Sequence, residues 1–204
     1  MQVTDKIKLT NEDNMELMSR YPDNYFDLAI VDPPYKKEVV GLKAGFNRSD
    51  FNYKALSNPP IKEYINELFR VSKNQIMWGF NYYLELLPNT DCCIFWNKHQ
   101  NGHFSVGELA WSSLGKTRLF HRAYQKDIGN KIHPTQKPKQ LYEWLLDNYA
   151  KEGDKILDTH LGSGSIAIAC HNRGFELTAC ELDKEYYDAS IKRFKQQTAQ
   201  TQMF

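Results

Sequence analysis

A short apolar run that is stopped by two prolines constrains this chain more than any other feature. Residues 25–31 are almost continuously apolar and predict a buried strand. Pro33 and Pro34 must end it, because a proline nitrogen cannot donate a hydrogen bond to a neighbouring strand. Asp32 and Tyr35 are therefore expected at the carboxyl end of the strand, which is the edge where open α/β sheets bind their ligands.

A glycine turn near the other end of the chain predicts a second half of the same site. Residues 155–165 predict a strand that ends at Asp158, a turn containing Gly162 and Gly164, and a helix that begins at Ser165. The glycines permit positive φ and a close approach to a ligand, and the new helix presents unpaired amides. The next strand ends at Glu181, where a carboxylate could accept hydrogen bonds from ribose hydroxyls.

An NAD-dependent dehydrogenase is the rival interpretation of this turn. Residues 162–167 satisfy the loose dinucleotide fingerprint Gly-x-Gly-x-x-Gly/Ala. Only 40 residues follow Gly164, however, whereas a dinucleotide domain normally continues through several more strands. The dehydrogenase interpretation also leaves residues 32–35 unexplained.

Three motifs in one order resemble a known family. Asp32-Pro-Pro-Tyr35 comes first, His133-Pro-Thr-Gln-Lys-Pro138 second and the glycine turn last. This resembles the amino-methylating (N6-adenine/N4-cytosine) DNA methyltransferases in their β-type motif order, over about residues 5 to 194. The resemblance implies a single α/β domain over residues 1–204 with the Rossmann-like S-adenosylmethionine-dependent methyltransferase fold. Its seven-stranded, mostly parallel sheet would have the strand order 3-2-1-4-5-7-6 and one antiparallel strand.

The resemblance also assigns roles to residues. Asp32 and the carbonyl of Pro33 would accept the two N–H hydrogens of the target amine, Pro34 would stiffen the turn and Tyr35 would stack on the base. S-adenosylmethionine is the implied cofactor. The residues implied in its binding are Asp13, Thr135, Lys137, Asp158, His160, Gly162, Ser163, Gly164 and Glu181.

Some of these assignments have a plainer alternative. Asp13 would bind the adenine amine of the cofactor or would simply cap the helix that follows it. Lys137 would lie beside the carboxylate of the cofactor or would be a solvated lysine. Two positions depart from the family pattern, since Glu12 replaces the usual glycine before the aspartate and His160 replaces the usual phenylalanine ring.

Two basic segments predict contacts with nucleic acid, although the formal net charge is only +1. Residues 36–59 are expected to form a long catalytic and DNA-contacting loop. Residues 115–132 would form a short recognition segment, and residues 195–204 a flexible tail. The predicted DNA-contacting residues are Lys36, Lys37, Lys43, Arg48, Lys54, Arg118 and Arg122.

Composition supports a cytoplasmic protein without a membrane anchor or a metal. The chain has no apolar run long enough to span a bilayer and no apolar signal segment at its start. The four cysteines lie in apolar runs without metal-ligand spacing and indicate reduced core residues. DNA is the expected partner, and a homodimer is left open.

The function predicted from these features is transfer of a methyl group to the N6 amine of adenine in DNA. Asp at position 32 favours adenine over cytosine by resemblance to the family. Methylation of cytosine N4, methylation of RNA adenine, and a non-catalytic nucleic-acid-binding module with a degenerate cofactor pocket are the alternatives. Strands are predicted near 5–10, 26–31, 74–80, 91–96, 107–113, 155–159 and 176–181, and helices near 14–20, 60–71, 138–150, 165–173 and 184–196.

Overall fold

Eight strands form one mixed sheet in the computed structural model, which describes residues 2–34, 61–99, 105–123, 131–133 and 135–199. The strand order is β1-β8-β7-β2-β3-β5-β4-β6. All neighbouring strands are parallel except where β5 pairs with β3 and with β4. The strands are β1 (Ile7–Asn11), β2 (Leu28–Val31), β3 (Gln75–Trp78), β4 (Cys92–Asn97), β5 (Gly107–Ser112), β6 (Arg118–His121), β7 (Lys155–Asp158) and β8 (Glu176–Glu181).

Helices cover both faces of this sheet. On each face, apolar side chains of the helices and the strands pack together in one hydrophobic cluster. One cluster contains apolar side chains of α3, α4 and α5, and the other contains those of α1 and α2. Strand β2 is buried along its whole length because successive residues, Ile30 and Val31, belong to opposite clusters. The helices are α1 (Asn14–Ser19), α2 (Lys62–Val71), α3 (Lys139–Tyr149), α4 (Ser165–Arg173) and α5 (Lys184–Ala199).

The first seven strands of the observed order confirm the predicted arrangement. In family terms, β1-β8-β7-β2-β3-β5-β4 corresponds to the order 3-2-1-4-5-7-6, with β5 as the antiparallel strand. The predicted count of seven strands is wrong, because β6 adds an eighth at the edge beside β4. Sequence reasoning missed β6 because an edge strand with one face in water carries little apolar patterning, and three of its four residues are exposed.

The predicted tail, loop and recognition segment can be compared with the structure only in part. Helix α5 continues to Ala199, so the predicted tail at 195–204 begins too early. The predicted loop 36–59 lies outside the described residues, as do residues 124–130 of the predicted recognition segment. Over the described ranges, no helix combines the length and the apolar character needed to cross a membrane. The same ranges contain no cluster of three or more His, Cys, Asp or Glu side chains suited to a metal ion.

Candidate active site

Four carboxylates mark one edge of the sheet. Because β1, β8, β7 and β2 are adjacent and parallel, their carboxyl ends meet there. Asp158 and Glu181 are the last residues of β7 and β8, Asp32 directly follows β2, and Asp13 lies two residues beyond β1. The fold therefore brings the two halves of the predicted site to one edge.

Lys137 binds the predicted catalytic carboxylate. Its Nζ donates a hydrogen bond to Asp32 Oδ2 at 2.5 Å, and it lies 3.1 Å from Glu108 Oε2. The Lys137 side chain is only 2% exposed, and its Nζ lies 5.3 Å from the centre of the Trp78 ring. The solvated-lysine alternative is therefore wrong. The predicted contact between Lys137 and the cofactor carboxylate stays a prediction.

A second ion pair extends this contact into a chain of four alternating charges, Asp32, Lys137, Glu108 and Lys98. Lys98 Nζ donates to Glu108 Oε1, while Glu108 Oε2 faces Lys137. Burial opposes ionisation of Glu108, but the charges of Lys137 and Lys98 lower its pKa to about 2. Burial raises the pKa of Asp32, and the Lys137 ammonium counteracts that increase. Sequence reasoning missed Glu108 and Lys98, since nothing in the local pattern distinguishes them from solvated charges.

The two oxygens of Asp32 differ in their surroundings. Oδ2 accepts the hydrogen bond from Lys137, whereas Oδ1 is buried and has no hydrogen-bond partner among the described residues. A buried carboxylate oxygen without a donor is costly, and such an atom in a ligand-binding edge is typical of a group that awaits a substrate hydrogen. Pro33 is buried and Pro34 partly buried, whereas Tyr35 lies outside the described residues.

The glycine turn has the predicted backbone. Gly162 and Gly164 adopt φ of 51° and 72°, which lie in the left-handed region that favours glycine. The amide of Gly162 donates to Glu181 Oε2 at 2.8 Å, and the amide of Asp183 donates to Glu181 Oε1 at 3.0 Å. These bonds fix the Glu181 carboxylate, whose four lone-pair sites also allow it to accept hydroxyl donors.

A buried arginine ties the glycine turn to the lysine motif. Arg193 Nη1, from α5, donates to Ser163 O at 2.7 Å and to Ser165 Oγ at 2.9 Å. Ser165 Oγ in turn donates to Lys137 O at 2.7 Å. The Ser163 hydroxyl, a predicted cofactor contact, lies 3.1 Å from Ser165 Oγ, within this network. The sequence gives no local signal for Arg193, because an arginine on an amphipathic helix is usually solvated.

Hydrogen bonds accommodate the histidine that replaces the usual phenylalanine. His160 Nδ1 lies 2.9 Å from Thr159 Oγ1, and Nε2 lies 3.2 Å from Asn14 Nδ2. With the Asn14 amide donating to Nε2, the proton of the neutral ring is on Nδ1 and is donated to Thr159. Thr159 also binds the buried hydroxyl of Tyr64 at 2.7 Å. Burial lowers the pKa of His160 to about 3, so the ring is neutral at physiological pH.

Asp158 and Asp13 differ in their hydrogen bonds. Asp158 is buried and accepts the amide of His160 at 2.9 Å, and burial raises its pKa to about 8. Asp13 is the N-cap of α1, since its Oδ1 accepts the amides of Met15 and Glu16. The capping alternative for Asp13 is thus confirmed, and the cofactor contact stays a prediction that concerns its other oxygen.

The remaining predicted cofactor residue, Thr135, contacts a buried histidine. Its hydroxyl lies 3.2 Å from His133 Nδ1. The His133 ring packs edge-on against Tyr186 at 4.4 Å between ring centres, and burial lowers its pKa to about 4. Thr135 therefore shapes the turn before α3, and its predicted contact with the cofactor stays a prediction.

The two predicted DNA-contacting arginines of the described chain lie at opposite ends of β6. Strand β6 runs parallel to β4, so Arg122 follows its carboxyl end at the same edge as Asp32. Arg118 begins β6 and lies over the Tyr149 ring, 5.9 Å from its centre, at the far end of α3. The other five predicted DNA contacts, between Lys36 and Lys54, are outside the described residues.

Comparison with known proteins identifies the class to which this fold and site belong. A family model described as a DNA methylase of the N6/N4 type matches residues 89–192, just over half of the chain. The chain belongs to this family of amino-methylating DNA methyltransferases. The match includes the lysine motif and the glycine turn, and it begins after Asp32.

Individual relatives resemble the chain over most of its length. The type II methyltransferase M.HpaI of Haemophilus parainfluenzae is 23% identical over 88% of this chain and 71% of its own. The putative methylase YubD of Escherichia coli is 23% identical over 89% of this chain and 87% of its own. The sequence-based prediction of the family is confirmed.

Solved structures confirm the predicted fold class. The complex of M1.HpyAVI with S-adenosylmethionine has a TM-score of 0.62 at 18% identity and covers 92% of this chain and 98% of its own. The cytosine-N4-specific PvuII DNA methyltransferase has a TM-score of 0.62 at 12% identity and covers 95% and 91%. A putative DNA modification methylase of Thermus thermophilus, complexed with S-adenosylmethionine, has a TM-score of 0.62 at 19% identity and covers 93% and 95%.

Proposed function

We propose that this chain transfers a methyl group from S-adenosylmethionine to the N6 amine of adenine in DNA. The observation that carries the proposal is the buried Oδ1 of Asp32, which has no donor in the described chain, at the ligand-binding edge of a methyltransferase fold. Family membership supports an exocyclic amine of DNA as the acceptor. Aspartate at position 32 favours adenine by resemblance to the family.

The base half of the site acts on the nucleophile. An exocyclic amine is a poor nucleophile because its lone pair is conjugated with the ring. Asp32 Oδ1 and the carbonyl of Pro33 would accept its two N–H hydrogens, so that the nitrogen becomes more tetrahedral and its lone pair becomes available. Positioning of this kind lowers the activation free energy of a bimolecular step by up to roughly 7–11 kcal/mol.

The cofactor half has the donor and acceptor groups that S-adenosylmethionine requires. Glu181, fixed by two backbone amides, would accept the ribose hydroxyls, and the left-handed turn at Gly162 and Gly164 leaves room for the backbone to approach the ligand. Asp13 would accept the adenine amine through the oxygen that does not cap α1. When bound, the cofactor supplies a methyl group on a good leaving group, the sulfonium.

Cytosine N4 is the second candidate acceptor. It presents the same pair of N–H hydrogens to Asp32, and the family includes enzymes that methylate cytosine N4. One experiment separates these candidates, namely incubation of the purified protein with isotopically labelled S-adenosylmethionine and duplex DNA or RNA, followed by mass spectrometry of the nucleosides. We expect labelled N6-methyldeoxyadenosine as the main product. Labelled N4-methyldeoxycytidine or a modified ribonucleoside as the main product would replace adenine in DNA as the target, and the absence of any labelled nucleoside would contradict catalysis.

A further inference from the structure

Glu108 lies in the active site, although none of the three sequence motifs contains it. Strand β5 runs antiparallel to its neighbours, so its first residues lie at the edge where the parallel strands end. Glu108 is opposite Trp96 in the register of β4 and β5, and its carboxylate contacts Lys98 through Oε1 and Lys137 through Oε2. It therefore lies between two ammonium groups, one of which binds the predicted catalytic aspartate.

Lys137 lies between Asp32 and Glu108 and can donate hydrogen bonds to either carboxylate. Its ammonium carries three hydrogens, and the side chain is long and flexible. If only Asp32 attracted it, the ammonium could bridge both carboxylate oxygens and cover Oδ1. In the structure it binds Oδ2 while Glu108 Oε2 lies 3.1 Å away on its other side. Attraction to Glu108 thus holds the ammonium on one oxygen.

We propose that Glu108 is a positioning residue for methyl transfer, which keeps Lys137 on Asp32 Oδ2 so that Oδ1 can accept the hydrogen of the target amine. Lys98 balances the charge of Glu108. This inference rests on the proposed function, because the amine is the group that Oδ1 would receive. It adds to that function the reason why Oδ1 of Asp32 has no hydrogen-bond donor in the described chain.

Charge counting supports the role of Lys98. The four groups comprise two carboxylates and two ammoniums, which are partly or largely buried, so the set is neutral as a whole. The Lys98 ammonium also lies 4.8 Å from the centre of the Trp96 ring. Removing one charge leaves an excess of the other sign in a poorly solvated place, which is costly, whereas removing one of each leaves the Asp32–Lys137 pair neutral.

The main test compares Glu108→Gln with the wild type. Glutamine keeps an acceptor oxygen but loses the charge, so Lys137 should shift toward Asp32 Oδ1. We expect kcat for methyl transfer to fall by about 100-fold, the size typical of a misplacement of about 1 Å in a site. The dissociation constant for S-adenosylmethionine, measured by calorimetry, should change much less than kcat, because Glu108 pairs with Lys137 and Lys98 and not with Glu181 or the glycine turn of the cofactor half.

Two further variants distinguish positioning from a structural role. The double variant Lys98→Met/Glu108→Gln restores neutrality but not the attraction that holds Lys137 on Asp32 Oδ2, so it should regain stability while its kcat stays as low as that of the single variant. Glu108→Asp keeps the charge and should retain more activity than Glu108→Gln, which keeps the proposal testable if the glutamine variant fails to fold. Glu67→Gln is the matched control, because Glu67 is also 21% exposed in its side chain and is paired with Arg70 on α2. It should leave kcat unchanged.

The outcomes separate this inference from the proposed function. A kcat for Glu108→Gln within about twofold of the wild type would overturn the inference while leaving the methyltransferase assignment intact. A parallel loss of kcat and cofactor affinity would overturn it too, because it would place Glu108 in the cofactor half. No methylation by the wild type on any nucleic acid would instead refute the proposed function.

Discussion

The base half and the cofactor half of the site stabilise their carboxylates in different ways. In the base half, Asp32 and Glu108 are paired with the ammonium groups of Lys137 and Lys98. In the cofactor half, Glu181 and Asp158 accept backbone amides of residues within nineteen positions along the chain. One half therefore depends on ion pairs, and Lys137 reaches its two partners from 29 and 105 positions away, whereas the other half depends on a local turn.

This difference has consequences for charge. The two carboxylates and two ammoniums of the base half form a neutral set. Asp158, in contrast, accepts the uncharged amide of His160, and burial raises its pKa to about 8. The base half should thus respond to loss of a single charge, and the cofactor half to pH. Substitutions of Asp32 or Glu108 should leave cofactor binding largely intact.

The largest expected effect is that of Asp32→Ala. Methyl transfer should be abolished, because the acceptor for the amine hydrogen is lost, whereas the affinity for S-adenosylmethionine should fall only slightly. Radiolabel transfer to DNA and calorimetry would measure the two quantities, with Asp27→Ala, a carboxylate at the opposite end of β2, as a control for folding. Methyl transfer within about tenfold of the wild type would remove Asp32 from the catalytic role.

The second prediction concerns the pH dependence of stability. Native Asp158 holds a proton up to about pH 8, whereas the unfolded state releases it above about pH 4. The native state therefore binds more protons in this window, and the free energy of unfolding should fall as pH rises, by up to about 1.4 kcal/mol per pH unit.

Thermal unfolding of the wild type and Asp158→Asn between pH 5 and pH 8 would measure this contribution. The variant should lose that part of the slope, because asparagine does not titrate. Asp147→Asn is the control, since Asp147 is half exposed and Arg173 lowers its pKa, away from this window. Parallel curves for the wild type and Asp158→Asn would show that Asp158 is ionised in the native protein.

The third prediction tests the cofactor half directly. Charge-assisted hydrogen bonds to ribose hydroxyls contribute about 1.5–3 kcal/mol. Glu181→Ala should therefore weaken S-adenosylmethionine binding by roughly ten- to a hundredfold. Glu181→Gln should weaken binding too, because it keeps one acceptor oxygen but sets an NH2 group against one of the two amides, of Gly162 and Asp183, that donate to Glu181. Unchanged affinity in calorimetry would count against the proposed cofactor contact.

The smallest expected effect concerns DNA binding. Arg122 lies at the active-site edge, so Arg122→Ala should reduce the slope of log affinity against log salt concentration by about one unit. Arg118→Ala should reduce it less, because Arg118 lies over Tyr149 at the opposite end of β6. Equal reductions would show that the duplex also contacts the far end of the strand.

Much of the fold could be predicted because its signals are local. The apolar run of β2, the proline stop and the glycine turn each occupy a few consecutive residues, and the structure has them near their predicted places. Motif order then gave seven strands in the right sequence. Strand β6 was not predicted, because this exposed edge strand forms through backbone pairing with β4 and carries little apolar pattern of its own.

The amino-acid sequence alone determined that Asp32, Asp158 and Glu181 reach the ligand-binding edge, because strand ends and turns are set by proline, glycine and apolar runs. Only the tertiary structure decided their partners. Lys137 meets Asp32 across 105 positions and Glu108 across 29, and Arg193 holds Ser165 from the last helix. A charged residue has the same local pattern whether it is solvated or paired. Its role is therefore fixed by which segments the folded sheet places beside it.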